Sequence, residues 1–252
     1  MKLRKLFRRE NVVEALKKVG ILRFRVSHSS LMHACILLLV LFLAFAVRLL
    51  PMRWGFYLSE FDPHWQYRLG KHIVDNGFFA WLSWHDDMSW YPQGRDAGAT
   101  SFPGLPATAA FFYSILKVLG IQFPSSLSSV HPLASDPFYN FCVLFPVIMA
   151  VLTCLVIYFL GKDIGGKEVG LLSALFLALN GSHISRTSLG FFDDETVGIF
   201  GILLFVFFFL RSIDSERTLK NSFIYAVAAG LSLGYILLSW GIARYPIGMI
   251  VL

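Results

Sequence analysis

Continuous apolar runs, separated by short polar or charged connections, organise this chain. They lie at about 31–50, 138–160, 168–182, 197–210 and 223–239, and a further run opens at Tyr245. About 20 apolar residues are needed for a helix to cross a hydrocarbon core. The runs are unbroken rather than alternating, which argues against a closed barrel of strands. The pattern therefore predicts an all-α, polytopic transmembrane helical bundle. A long polar-aromatic stretch, 51–102, follows the first run. Next come a moderately apolar stretch, 103–120, with Gly104 and Pro106 near its start, and a Pro/Ser-rich connection, 121–137.

Charge sharpens this plan. Hydrophobic residues make up 56% of the chain and charged residues only 15%, too few to cover a soluble domain. The net charge of +6 does not point to nucleic acid, because much of it sits just before the first run, from Lys2 and Arg4 to Arg23 and Arg25. Flanking Lys and Arg mark the cytoplasmic side, so residues 1–30 are expected to be a basic cytoplasmic segment. Lys162 and Lys167 flank one later connection, and Arg211, Arg217 and Lys220 fill another, whereas 121–137 has no Lys or Arg. These sides agree only if 103–120 does not cross the membrane. The expectation is then a large first external loop at about 51–137 and a second at about 183–196. The acids of both loops face the same compartment in that topology; an ordinary second span at 103–120 would separate them by a bilayer.

Smaller signals are quickly placed. Cys35, Cys142 and Cys154 lie in or beside apolar runs without a CxxC pattern, so they are expected as packing residues. Ala44-Phe45-Ala46 imitates a cleavage site, but the apolar run continues past it, and an uncleaved span is expected. Asn180-Gly181-Ser182 matches an N-glycosylation pattern at a span's end, where the bilayer is expected to block modification. The run from Tyr245 stops too early to span, so the chain is expected to be the N-terminal part, 31–252, of a larger transmembrane domain, or a split protein needing a partner.

Two acidic segments carry the candidate chemistry. Glu60-Phe61-Asp62-Pro63 follows the first span, and Asp193-Asp194-Glu195 opens the run at 197. Asp62 before Pro63 suits a helix cap, and acids at a helix start suit its dipole. A hard oxygen site for Mg²⁺ or Mn²⁺ is the other reading of both segments. Adjacent carboxylates repel, and a cation or Arg186 would relieve that. Asp193 and Glu195, at i and i+2, could flank one ion while Asp194 points elsewhere. Trp81, Trp84, His85, Asp86, Asp87, Trp90, Tyr91 and Arg95 form an aromatic-acidic stretch suited either to sugars or to lipid headgroups. His85 and Asp96 are possible extra ligands.

The ordered set of motifs resembles the catalytic subunit of oligosaccharyltransferase, a membrane glycosyltransferase of the GT-C class. The matching pieces are Glu60-Phe61-Asp62-Pro63 with Tyr67-Arg68, Asn76-Gly77-Phe78, Asp86-Asp87 with Trp90-Tyr91-Pro92 and Gly94-Arg95, and Pro103-Gly104-Leu105. Ser185-Arg186, Phe192-Asp193-Asp194-Glu195 with Ile199-Phe200, and Ser239-Trp240-Gly241 continue the series. The resemblance implies a GT-C-like fold and metal-dependent transfer of an oligosaccharide from a polyprenyl or dolichyl (pyro)phosphate carrier to Asn of Asn-X-Ser/Thr acceptors. It implies Asp62, Asp193 and Glu195 as catalytic metal ligands for Mn²⁺ or Mg²⁺. Substrate and phosphate contacts are expected from Arg186, Arg68, Arg95, Trp90 and Tyr91. The implied partners are a lipid-linked oligosaccharide, an acceptor polypeptide, membrane lipid and a C-terminal portion supplied in cis or trans, with no nucleic acid. The family draws a further glutamate and a Trp-Trp-Asp motif from later segments, so these residues alone are expected to be inactive.

His64 and Gln66 depart from the family's usual aromatic residue and Asn, which leans toward an archaeal plasma membrane rather than an endoplasmic reticulum membrane. The alternatives are another GT-C enzyme, a protein O-mannosyl or lipid-sugar transferase, or a non-catalytic membrane scaffold.

Overall fold

A computed structural model of the chain describes residues 28–124 and 132–251. Residues 1–27 of the basic segment and 125–131 of the connection 121–137 lie outside the described residues. The chain divides into two compact units at Leu38–Leu39, inside the first helix, α1 (His28–Leu49). Residues 28–38 are the described part of the first unit.

Four helical stretches are long and apolar enough to cross a membrane: His28–Trp54, Pro137–Leu179, Glu195–Ser212 and Leu219–Ser239. The second of these is two helices. At 43 residues it would run roughly 64 Å if straight, twice a hydrocarbon core. The helix breaks at Gly165 and Gly166, whose φ values are −143° and +87°. The left-handed conformation at Gly166 is one that a residue with a side chain resists. The arms, 137–164 and 167–179, then return on one another. A Cβ on Gly170 would stand 2.5 Å from the Tyr158 carbonyl oxygen, so glycine is what permits this approach. The connection expected at 161–167 is thus a tight glycine turn.

The intervening elements are α2 (Asp62–Asn76), a ribbon of β1 (His85–Asp86) and β2 (Arg95–Asp96), the single turn α3 (Ala97–Thr100), and α4 (Gly104–Val118). With Pro137–Leu179 as α5, the chain continues through α6 (Gly181–Ser185), α7 (Glu195–Ser212), α8 (Leu219–Ser239) and α9 (Arg244–Val251). The expected all-α fold thus carries one small antiparallel ribbon, pairing His85 with Asp96 and Asp86 with Arg95. The first loop is largely structured. Its stretch at 103–120 is the helix α4, whose 15 residues reach only about 22 Å, short of a bilayer core.

The core explains where these elements meet. Phe138, Tyr139, Phe141, Val143 and Phe145 on the first turns of α5 are buried against Tyr67 of α2, Leu105 and Ala109 of α4, and Phe192 and Val197 around the start of α7. Tyr67 meets Tyr139 edge-on at 5.2 Å, and Phe145 meets Phe192 at 5.7 Å. Aromatic pairs of this geometry add to simple area burial. The start of α4 touches the end of α8 so closely that a Cβ on Gly104 would stand 2.0 Å from Ser239 Oγ. Thr108 and Tyr235 hydroxyls add a hydrogen bond of 2.9 Å between the same helices. Cys142 and Cys154 are buried as packing residues, as expected, while Cys35 is exposed.

Candidate functional site

Both acidic segments lie at one end of this bundle, and they are stitched together through the backbone. The Ser59 amide donates to the Gly190 carbonyl at 3.0 Å, and the Gly190 amide donates to the Val143 carbonyl at 2.9 Å. Gly190 has φ +86°, and a Cβ there would stand 2.2 Å from the Tyr57 carbonyl oxygen. Only glycine fits both the conformation and the gap. Glu60 adopts φ +64°, turning the chain sharply into α2 just before Asp62. A residue with a side chain stores strain in this region.

Side chains complete the junction. Gln66 lies four residues after Asp62 on α2, so the two share a face. The Gln66 amide nitrogen donates to Asp194 Oδ1 at 2.9 Å. Asp194 therefore turns toward the first segment, correcting the expectation that it points elsewhere. The capping readings are also corrected. Phe61, not Asp62, precedes α2, and Asp194 precedes α7; neither helix start has a side-chain cap bond. Asp62 is the first residue of α2 and is exposed, free of the capping role. Asp193 Oδ1 accepts from the Asp194 amide at 2.8 Å.

The assembled field is strongly negative. Burial pushes the Asp194 carboxyl up to about 8, with the charges of Asp193, Glu195 and Asp62 adding to it against the Gln66 hydrogen bond. Burial likewise raises Asp193, reinforced by Glu195 and Asp62 and opposed by the Asp194 amide. Such shifts mark carboxylates that lack counter-charge. Arg186 supplies some, standing 3.5 Å from Glu195 Oε1 with its guanidinium 5.2 Å above the Phe191 ring. Glu195 Oε2 and Gln66 Oε1 are both buried with no hydrogen-bond partner. A buried acceptor without a donor costs about 1–3 kcal/mol. These oxygens thus fit a hard cation or a ligand donor. Even so, among the described residues no three His, Cys, Asp or Glu side chains are placed to hold one ion together. The structure brings Asp62, Asp193 and Glu195 into one electrostatic field but not into a closed ligand shell.

The remaining expected residues divide by their engagements. Arg68 is taken up by the buried Asp86, through Nη2 to Oδ1 and through Nε to Oδ2 at 3.3 Å. Arg68 thereby holds the ribbon against α2. Arg95 lies between two indoles, 4.0 Å from Trp65 and 4.7 Å from Trp90, and donates to Thr100 Oγ1 and its carbonyl at 3.0 Å. Burial lowers the Arg95 guanidinium from its ordinary value, while Asp62, Asp86 and Asp194 act against this. Trp90 is 60% exposed and Tyr91 84% exposed, so both present rings outward. His85 and Asp96 pair with each other at 2.6 Å on the ribbon, and His85 also faces Asp87 at 3.5 Å. They bind one another rather than joining the carboxylates of α7.

Sequence reasoning missed Gln66 as a contact, and it missed Arg48 and His183 altogether. The i to i+4 step from Asp62 could have flagged Gln66. A charged residue inside an apolar run could have flagged Arg48.

A family model described as Oligosaccharyl transferase STT3, N-terminal, matches residues 31–252. The Arabidopsis thaliana dolichyl-diphosphooligosaccharide–protein glycosyltransferase subunit STT3B is 34% identical over 212 residues, covering 84% of this chain and 26% of the relative. The Saccharomyces cerevisiae subunit STT3 is 33% identical over 185 residues, 73% of this chain and 23% of the relative. The apo crystal structure of the Archaeoglobus fulgidus oligosaccharyltransferase superposes with a TM-score of 0.68 at 22% identity, covering 87% of this chain and 25% of that one. The same archaeal fold is known in complex with an inhibitory peptide and a dolichol-phosphate (TM-score 0.67), and with Zn and sulfate (TM-score 0.64). The chain thus spans about a quarter of the length of the relatives it matches.

Proposed function

Because the chain belongs to the STT3 family of oligosaccharyl transferases, we propose that it supplies part of the active site for N-glycosylation. The reaction moves an oligosaccharide from a polyprenyl or dolichyl (pyro)phosphate carrier to the side-chain nitrogen of Asn in Asn-X-Ser/Thr. The observation that carries this reading is the Gln66–Asp194 hydrogen bond, which brings two distant acidic segments into one field. The same contact supports a topology in which both acidic segments lie on one side of the membrane and α4 does not cross; the Lys and Arg of the connections favour a cytoplasmic N-terminus and extracytoplasmic loops. Membership in STT3 favours this reaction over other GT-C transfers and over a scaffold.

An amide nitrogen is a poor nucleophile because its lone pair is delocalised into the carbonyl. Asp62, exposed at the start of α2, is positioned to accept from the acceptor amide N–H and hold that nitrogen toward the donor. Asp193 and Glu195, with Asp62, would hold Mn²⁺ or Mg²⁺; the family's Zn and sulfate complex supports a cation site of this kind. The cation, when bound, supplies positive charge toward the leaving phosphate. Arg186 pairs with Glu195 and remains half-exposed, so it can offer a donor to the same phosphate. Trp90 and Tyr91 offer faces for sugar rings beside Arg95. Relatives 30–34% identical come from plants, slime mould, worm and yeast, so similarity gives no preference to an archaeal membrane.

Asp62→Ala and Asp193→Ala in the full-length protein test the reading. Each is expected to abolish metal-dependent transfer from a lipid-linked oligosaccharide to an Asn-X-Thr peptide. Near-normal transfer by either variant overturns it.

A further inference from the structure

Among the described residues Arg48 is the largest fully buried side chain, and it pairs with no carboxylate. A guanidinium withdrawn from water must spend its donors well. Nε donates to Thr187 Oγ1 at 2.7 Å, Nη1 to the carbonyls of Ala44 and Ala178 at 3.0 and 3.1 Å, and Nη2 to His183 Nδ1 at 2.7 Å. Arg48 stands in the last turn of α1, and Ala178 in the last turn of α5. Helix C-termini carry partial negative charge on carbonyls without intrahelical partners. The Ala178 carbonyl at the end of α5, with the Ala44 carbonyl, the Thr187 hydroxyl and the His183 imidazole, therefore takes the place of an acid beside this cation.

These partners surround one stretch of chain. Thr187 directly follows Arg186, and its hydroxyl donates onward to the His183 carbonyl at 2.5 Å. The Arg48 carbonyl accepts from the Leu189 amide at 3.0 Å, and the next amide, Gly190, binds Val143. Thr196 then closes the segment with bonds to the Arg186 and Phe191 carbonyls at 3.4 and 3.2 Å. His183 accepts through Nδ1, so its proton resides on Nε2, which is buried with no partner. Burial first, and the Arg48 charge second, push the His183 imidazole down to about 4, in keeping with a neutral acceptor.

We infer that Arg48 is a positioning residue for the second acidic segment, with His183 as its neutral acceptor. It fixes 186–195 to the ends of α1 and α5, and so sets where Arg186, Asp193 and Glu195 stand relative to Asp62. Its link to metal rests on the transfer reading above; its link to loop geometry does not. Arg48 is fully buried, so it acts through the groups it holds.

The test uses full-length protein carrying Arg48→Met, Arg48→Lys or His183→Asn. Arg211→Met serves as a control, because Arg211 clamps Asp163 at the far end of the same bundle, away from the acids. Mn²⁺ binding is read by calorimetry on folded protein, and amide hydrogen exchange is read across 186–196. Arg48→Met is expected to raise the Mn²⁺ midpoint about tenfold, as loss of an outer support does, and to speed exchange at Leu189, Gly190 and Thr196. Arg48→Lys should recover part of both. Arg211→Met should lower thermal stability while leaving both readouts unchanged. Where Arg48→Met does not fold, Arg48→Lys and His183→Asn decide by the same readouts. Unchanged exchange and an unchanged midpoint in the Arg48 and His183 variants overturn the inference. A wild type that binds no Mn²⁺, with exchange across 186–196 still faster in the Arg48 variants, overturns the metal reading and leaves the positioning role standing.

Discussion

The Gln66 side-chain amide donates to the Asp194 carboxylate across 2.9 Å, joining residues 128 positions apart in the chain. Each comes from a different acidic segment, and Asp62 lies one helical turn before Gln66 on α2. Removing the donor leaves a buried carboxylate without its partner. Gln66→Leu is expected to destabilise the protein by about 1–3 kcal/mol, measured by thermal unfolding without metal. Asp194→Asn keeps an acceptor for Gln66 and imitates the protonated carboxyl that a value near 8 gives at neutral pH, so it should be neutral or stabilising in the same assay. The reverse order would mean that the hydrogen bond does not join the segments.

Gly190 is where the two segments pass through the backbone. Gly190→Ala combines a left-handed φ with a Cβ placed 2.2 Å from the Tyr57 carbonyl. Strain of about 1–3 kcal/mol adds to an overpacking cost of similar size. The expected result is a marked fall in unfolding temperature and loss of protection at the Ser59 amide. A protected Ser59 amide in the variant would show that the segments do not rely on this crossing.

The ribbon should respond to acid. Burial alone would raise the Asp86 carboxyl, but hydrogen bonds from Ser89, Arg68 and the Met88 amide outweigh it and hold it below its ordinary 3.8. A lowered carboxyl contributes stability that is full above the unfolded value and is lost as pH falls through the folded one. Tryptophan fluorescence of the loop should therefore stay constant from neutral pH down to about 4 and change only below that. Asp86→Asn should show the changed signal at neutral pH, with a local cost of roughly 2 kcal/mol.

Trp90 covers one face of Arg95, and its own outer face is exposed. Trp90→Ala should raise KM for the lipid-linked donor by about tenfold, equivalent to roughly 1–2 kcal/mol of lost stacking and cation–π attraction. kcat and the KM for acceptor peptide should change little. A changed acceptor KM with an unchanged donor KM would assign this surface to the peptide instead.

The sequence alone determined the membrane class, because a run of about 20 apolar residues has few other stable fates. It placed the long apolar helices to within a few residues and marked both acidic segments by their position at the ends of apolar runs. Hydropathy is a local property, and it is written where it acts. Pairing is not local. Asp194 could be placed against Gln66 only after the chain between them had folded, and Arg68 looked free until the ribbon delivered Asp86 to it. Arg48 shows the same limit, since its partners Ala178, His183 and Thr187 lie more than a hundred residues away. A buried charge is tolerated only where several distant groups meet it at once, and only the tertiary structure decides where that is.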